Sequence, residues 1–161
     1  MYSSEVLLDI HDRCHRGLTK LISHCGGFSH EQFRQVFDGF GYSSIQSQLC
    51  HVIGAEVYWF GVLEGRMDVD DRAEENLGAK EIGEFREQVF NKSATYLSKS
   101  AAEHLNAAGE FITWGGKLMT LVPAQVVLRT QTHIFQHQGQ VAAMCRQLGN
   151  PINGIDYSHE P

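Results

Sequence analysis

Two pairs of histidines stand four residues apart in this chain, His11 and His15 in HDRCH and His133 and His137 in THIFQH. On a helix that spacing stacks two imidazoles on one face, one turn apart, where their ring nitrogens can share a divalent cation. Spacing alone decides nothing: with 9 histidines in 161 residues, about half of one such pair arises by chance. What discriminates is which pair faces inward and meets a third ligand. On a helical wheel Val126, His133, His137, Met144 and Leu148 fall on one narrow stripe, so both imidazoles of the later pair lie on a core face. An unpaired polar group buried there costs about 1–3 kcal/mol, and one shared cation would satisfy both rings. His51 is the third candidate, sharing a face with Ala55, Tyr58 and Val62. Three imidazoles with open coordination positions make a reactive metal site rather than a closed structural one. The competing reading is three satisfied core histidines.

The other candidates read differently. His11 lies at the edge of its apolar stripe and His15 about 100° from the stripe's centre, so both are expected as boundary residues with no metal role. His24, His30, His104 and His159 lie near segment ends or in polar surroundings and are expected in solvent. Cys50 adjoins His51, but helical neighbours point about 100° apart, and a free cysteine commonly packs as a small hydrophobe. Glu56 stands about 140° from His51 and points away from it.

The elements that must position these residues are helical. Leu7, Ile10, Cys14, Leu18, Leu21 and Cys25 repeat at helical spacing over residues 4–25, ahead of Gly26-Gly27. Ser29 opens a short helix in HEQFRQVFDGFG. Ser43 or Ser44 caps a second long helix, running to about Gly65 and apolar nearly all round, which implies burial on more than one side. MDVDDRAEENLG follows as an acidic, polar connection. A third long helix begins near Ala79 and is expected to continue to Ala107. FITWGGKLMTLV holds a turn signal between two short apolar runs, a small hairpin or extended link. Pro123 suits the first turn of a last helix that ends near Gly149, with Pro151 beyond. The expected fold is all-α: one domain over residues 1–161, an antiparallel four-helix bundle with a short extra helix and a small hairpin or extended link before the last helix.

Composition narrows the function. The formal charge of −6 and the lack of a Lys/Arg cluster argue against nucleic-acid binding. No apolar run approaches the ~20 residues that span a bilayer, so no membrane association is expected. The start, MYSSEVLLDIHD, lacks the features of a secretory signal. Cys14, Cys25, Cys50 and Cys145 show no C-x-x-C spacing, which fits reduced thiols in a cytoplasmic protein.

CHVIGAEVYW, a histidine early in the second long helix with a tryptophan within eight residues, and HIFQHQGQVAAMCRQLGNP near the C-terminus together resemble the DinB-like (YfiT-like) family of metal-binding four-helix bundles. The resemblance runs nearly the full length of the chain. It implies that His51, His133 and His137 hold a divalent cation, zinc or nickel, with water completing its coordination. It also implies, as in parts of that wider family, activation of a low-molecular-weight thiol for attack on an electrophile, or of water for hydrolysis; a non-catalytic bundle with a binding or regulatory role is the alternative. Family members often carry arginine where this chain has Gln138, and histidine where it has Gln136 and Arg129. These departures spare the ligands and are expected to alter the surroundings and rim of the site, where specificity lies.

Around the metal, Gln140 lies one turn beyond His137, and Tyr58 could donate a hydrogen bond into the pocket; both are candidate supporting residues, and no catalytic base can be named. Opposite the histidine stripe, Leu128, Phe135 and Ala142 recur every seven residues, an apolar face expected to form a twofold homodimer unless the short helix or the hairpin covers it.

Overall fold

A computed structural model of the chain describes residues 1–66 and 77–159. It is mostly helical: α1 Ser4–Cys25, α2 His30–Phe33, α3 Ile45–Leu63, α4 Ala79–Lys99, α5 Ala102–Asn106 and α6 Pro123–Gln147, with strands β1 Gly109–Thr113 and β2 Lys117–Leu121 between α5 and α6. Each of the four long helices packs against two others: α1 against α4 and α6, and α3 against the same two. α1 and α3 thus face each other across the middle of the molecule.

Local chemistry sets the ends of these helices. Ser3 caps α1, its hydroxyl accepting from Val6 N–H, and Ser44 and Ser47 form a capping box at α3. Pro123 occupies the first turn of α6, and at the other end Gly149 adopts φ 78° while Asn150 N–H reaches back to the Cys145 carbonyl.

Two expectations need correction. The third long helix stops at Lys99 instead of reaching Ala107: Ser100 is extended (φ −82°, ψ 125°), its hydroxyl donating to the Tyr96 carbonyl, and a separate short helix follows. A serine that satisfies the backbone in this way competes with helix continuation. The short helix is only His30–Phe33; Val36, beyond its end, is exposed while Phe33 and Phe37 enter the core. The acidic connection lies, up to residue 76, outside the described residues. The hairpin is present, Phe111 facing Met119 in antiparallel register, with Gly115 and Gly116 at positive φ in its turn.

The apolar core comes in two parts. One holds Leu18, Leu21, Leu49, Ile53, Phe85, Ile134 and Met144; the other holds Leu7, Phe60, Leu63, Leu97, Leu105 and Val127. Along α1 and α3 the break between them falls at residues 8–13 and 54–59, where His11 and Glu56 stand.

Candidate metal centre

α3 and α6 bring His51, His133 and His137 together. Their ring centroids lie 4.4–5.1 Å apart, and one nitrogen from each can be chosen so that all lie within 4.8 Å of one another. His137 is buried, His51 and His133 half-buried, so the cluster sits where core meets surface. Nε2 of His133 and Nε2 of His137 are 3.0 Å apart, two ring nitrogens aimed at one point.

Burial, and then the neighbouring imidazoles, push His51 and His133 down to about 4, and burial lowers His137. All three rings are therefore neutral at pH 7, the form that offers a lone pair to a cation. That fits a divalent metal of the zinc class, which takes nitrogen donors at about 2.0–2.1 Å.

One of the three is fixed in a tautomer. Gln48, on α3, spends both amide hydrogens elsewhere, on the Tyr42 carbonyl (2.6 Å) and on Gln140 Oε1 (2.7 Å). Its Oε1 faces His137 Nδ1 and accepts that proton, leaving the His137 Nε2 lone pair toward the cluster. Tyr42 lies flat on His51, with centroids 3.7 Å apart and planes 17° from parallel, and covers one side of the cluster.

The expected supporting residues take different parts. Gln140 acts at one remove, through Gln48 rather than on a histidine. The Tyr58 hydroxyl accepts from Trp114 N–H (2.7 Å) and ties the hairpin tip to α3. Neither Gln48 nor Tyr42 stands out as a chemical residue. A signal for Gln48 was nonetheless present, since a polar side chain in a helix apolar nearly all round has to be buried: Gln46, Gln48 and Glu56 are 3, 0 and 1 % exposed.

The departures from the family pattern spread out. Gln138 is buried away from the histidines, against α1; with its amide oriented to suit its neighbours it donates to the Ile155 carbonyl (3.0 Å) and accepts from Leu18 N–H (2.8 Å). The expectation that this substitution alters the site's surroundings is not met, because residues 137 and 138 point about 100° apart on their helix. Gln136 is exposed, and Arg129 places its guanidinium 4.7 Å from the Trp59 ring centroid.

The remaining histidines bring one reversal. His30, His104 and His159 are exposed as expected, and His24 is half-buried. His11 and His15 are not boundary residues: they are 0 and 1 % exposed, and each Nε2 lies 2.9 Å from a different oxygen of Glu56. A wheel centred on one narrow stripe understates α1, which α4 and α6 cover on two sides while α3 faces it. Glu56 does point away from His51, and away from His51 is into the core. Cys50 is 2 % exposed among core residues.

Helices that converge three neutral imidazoles on one point, two from a single helical turn, define a class of helical protein with a three-histidine cluster that could hold a metal ion. The sequence places the chain within that class more narrowly: it matches the DinB family over residues 13–161, and it belongs to that family. It is 26 % identical over 134 residues to Protein DinB of Bacillus subtilis (strain 168), covering 80 % of this chain and 75 % of that one. Its fold is similar to the crystal structure of a DinB-like protein from Bacillus cereus ATCC 10987, with a TM-score of 0.73, 16 % identity, and coverage of 93 % of this chain and 95 % of the other.

Proposed function

We propose that this protein is a divalent-metal-dependent enzyme in which His51, His133 and His137 hold zinc or nickel, and that it activates a low-molecular-weight thiol, or water, for transfer to an electrophile or for hydrolysis. In this reading the four long helices form an antiparallel four-helix bundle and the protein works in the cytoplasm. Among the described residues no helix is long and apolar enough to cross a membrane.

The observation that carries the reading is the convergence of three neutral imidazoles at a half-buried place. A cation held there lowers the pKa of a bound water or thiol, so that its conjugate base forms near neutral pH. The chain's residues supply the rest. Gln48 keeps the proton of His137 on Nδ1, Tyr42 covers His51, and partial exposure of His51 and His133 leaves a side from which a small molecule can approach. That access favours an enzyme over a closed site in a purely binding protein. The chain's own four thiols are all buried, out of reach of a substrate; burial and then the Glu56 charge push Cys14 up to about 12, and the hydrogen bond of Cys25 with Cys145, then burial, push Cys25 up.

The test is elemental mass spectrometry on protein purified without a histidine tag, beside a His133→Ala/His137→Ala variant. Metal in the native protein, with about one equivalent less in the variant, is expected; thiols and electrophiles are then screened for turnover that the variant lacks. Equal metal in both proteins after incubation with zinc and nickel would remove the site. A loaded native protein that converts none of the thiol–electrophile or ester substrates would leave a metal-binding module in place of an enzyme.

A further inference from the structure

The middle of the core holds a second convergence of ligands. His11 and His15 project from successive turns of α1, and Glu56 meets them from α3 with one carboxylate oxygen on each Nε2 at 2.9 Å. The three are 0, 1 and 1 % exposed, which is rare for an ionisable trio unless something within it balances the charge. Burial pushes the Glu56 carboxyl up, the two imidazoles outweigh that, and it is held below the usual carboxylate range. Among the described residues no lysine or arginine pairs with it. Arg86, the nearby cation, reaches Glu87 and stands 5.4 Å from the Phe90 ring centroid.

We propose that His11, His15 and Glu56 form a second divalent-cation site, of the zinc class, separate from the cluster of His51, His133 and His137. Two imidazoles and a carboxylate suit such an ion, whereas magnesium and calcium call for oxygen donors. One ligand atom from each of the three can be chosen so that all lie within 4.8 Å of one another. Donor atoms around a tetrahedral zinc lie about 3.3 Å apart, and the nitrogen–oxygen separations of 2.9 Å have only to open by a few tenths of an ångström. The arrangement parallels the first site: each takes two histidines four residues apart on one helix and a third ligand from α3, His51 in one and Glu56 in the other. A cation would also balance the buried carboxylate in place of protons on the two imidazoles.

Phe90 caps the trio. Its ring stacks on His11 (centroids 4.9 Å apart, planes 10° from parallel) and lies 5.2 Å from His15. His15 and Phe90 together line a surface cleft of about 530 Å³ with Asp12, Arg16, Lys20 and Arg86, so the way in lies beside Phe90. The Nδ1 atoms of His11 and His15 have no hydrogen-bond partner. Nothing outside the trio therefore fixes either tautomer, and the protons can move to Nδ1 to free both Nε2 lone pairs. Leaving those two N–H groups unpaired weakens metal binding without outweighing it. The second site is accordingly expected to bind 10- to 100-fold more weakly than one whose histidines have outer partners, as His137 has in Gln48.

The experiment counts zinc. Native protein, His133→Ala/His137→Ala, Glu56→Gln and all three changes combined are stripped with chelator, loaded with excess zinc, desalted and analysed for metal per chain. The expected equivalents are two, one, one and none, and zinc should raise the melting temperature of the His133→Ala/His137→Ala protein but not of the combined variant. If Glu56→Gln fails to fold, His15→Gln in the same backgrounds takes its place. One equivalent in native protein with none in His133→Ala/His137→Ala overturns the second site and leaves the first. One equivalent in both, lost in Glu56→Gln, upholds the second site and overturns the first. Two equivalents that survive both Glu56→Gln and His15→Gln place the extra ion elsewhere and overturn this proposal, and zinc-free native protein overturns both sites.

Discussion

Gln48 decides the proton on His137. Both of its amide hydrogens are taken by Tyr42 and Gln140, so its oxygen must accept from Nδ1, and Nε2 is left as a lone pair beside His133. Partners of this kind typically carry 10- to 100-fold in metal affinity. Gln48→Leu is therefore expected to weaken zinc binding by about that factor in a competition titration against a chromogenic chelator. Gln140→Leu, one bond further out, should lose less. Equal affinity in native and Gln48→Leu protein would show that His137 finds its tautomer without this amide. The sequence makes the three histidines legible because they carry a spacing and a motif. It hides Gln48, whose importance lies in where its two hydrogens go.

At the scale of elements, α3 is the shared part, offering His51 toward α6 and Glu56 toward α1. Its apolar surround could be read from the sequence, and so could its capping serine. What could not be read was which residues meet from helices that do not adjoin in sequence: His11 and Glu56 are 45 positions apart. The contact of α1 with α6 has a similar hidden dependence. A Cβ at Gly17 would fall 2.9 Å from the Ile155 carbonyl and 3.3 Å from the Gln138 side-chain amide, so the missing side chain is what lets the C-terminal segment and Gln138 seat there. Gly17→Ala is expected to lower stability by about 1–3 kcal/mol, the usual cost of overpacking, read from the urea midpoint. It should also speed proteolytic clipping after Arg146 or within 151–159. A midpoint equal to or above native would mean the segment shifts freely and that helix propensity outweighs the clash.

Across the whole molecule, polar groups divide the core between its two apolar parts, at a cost that hydrophobic packing alone would not incur. The surface matters for assembly. Leu128, Phe135 and Ala142 on α6 are half-buried, and the Tyr157 ring, 6.4 Å from that of Phe135, covers part of the face that was expected to be free. Neither the short helix nor the hairpin provides that particular contact. A second apolar surface lies on the hairpin, where Ile112, Trp114 and Leu118 are 57, 66 and 55 % exposed. We propose a twofold dimer through the α6 face, with the Tyr157 segment at its edge, because continuous helical rows pack more area than a two-stranded tip. Phe135→Glu is then expected to give a monomer by light scattering at an unchanged circular dichroism spectrum, while Leu118→Glu stays dimeric. The reverse pattern would move the interface to the hairpin, whose tip Tyr58 ties to α3, the helix that carries His51.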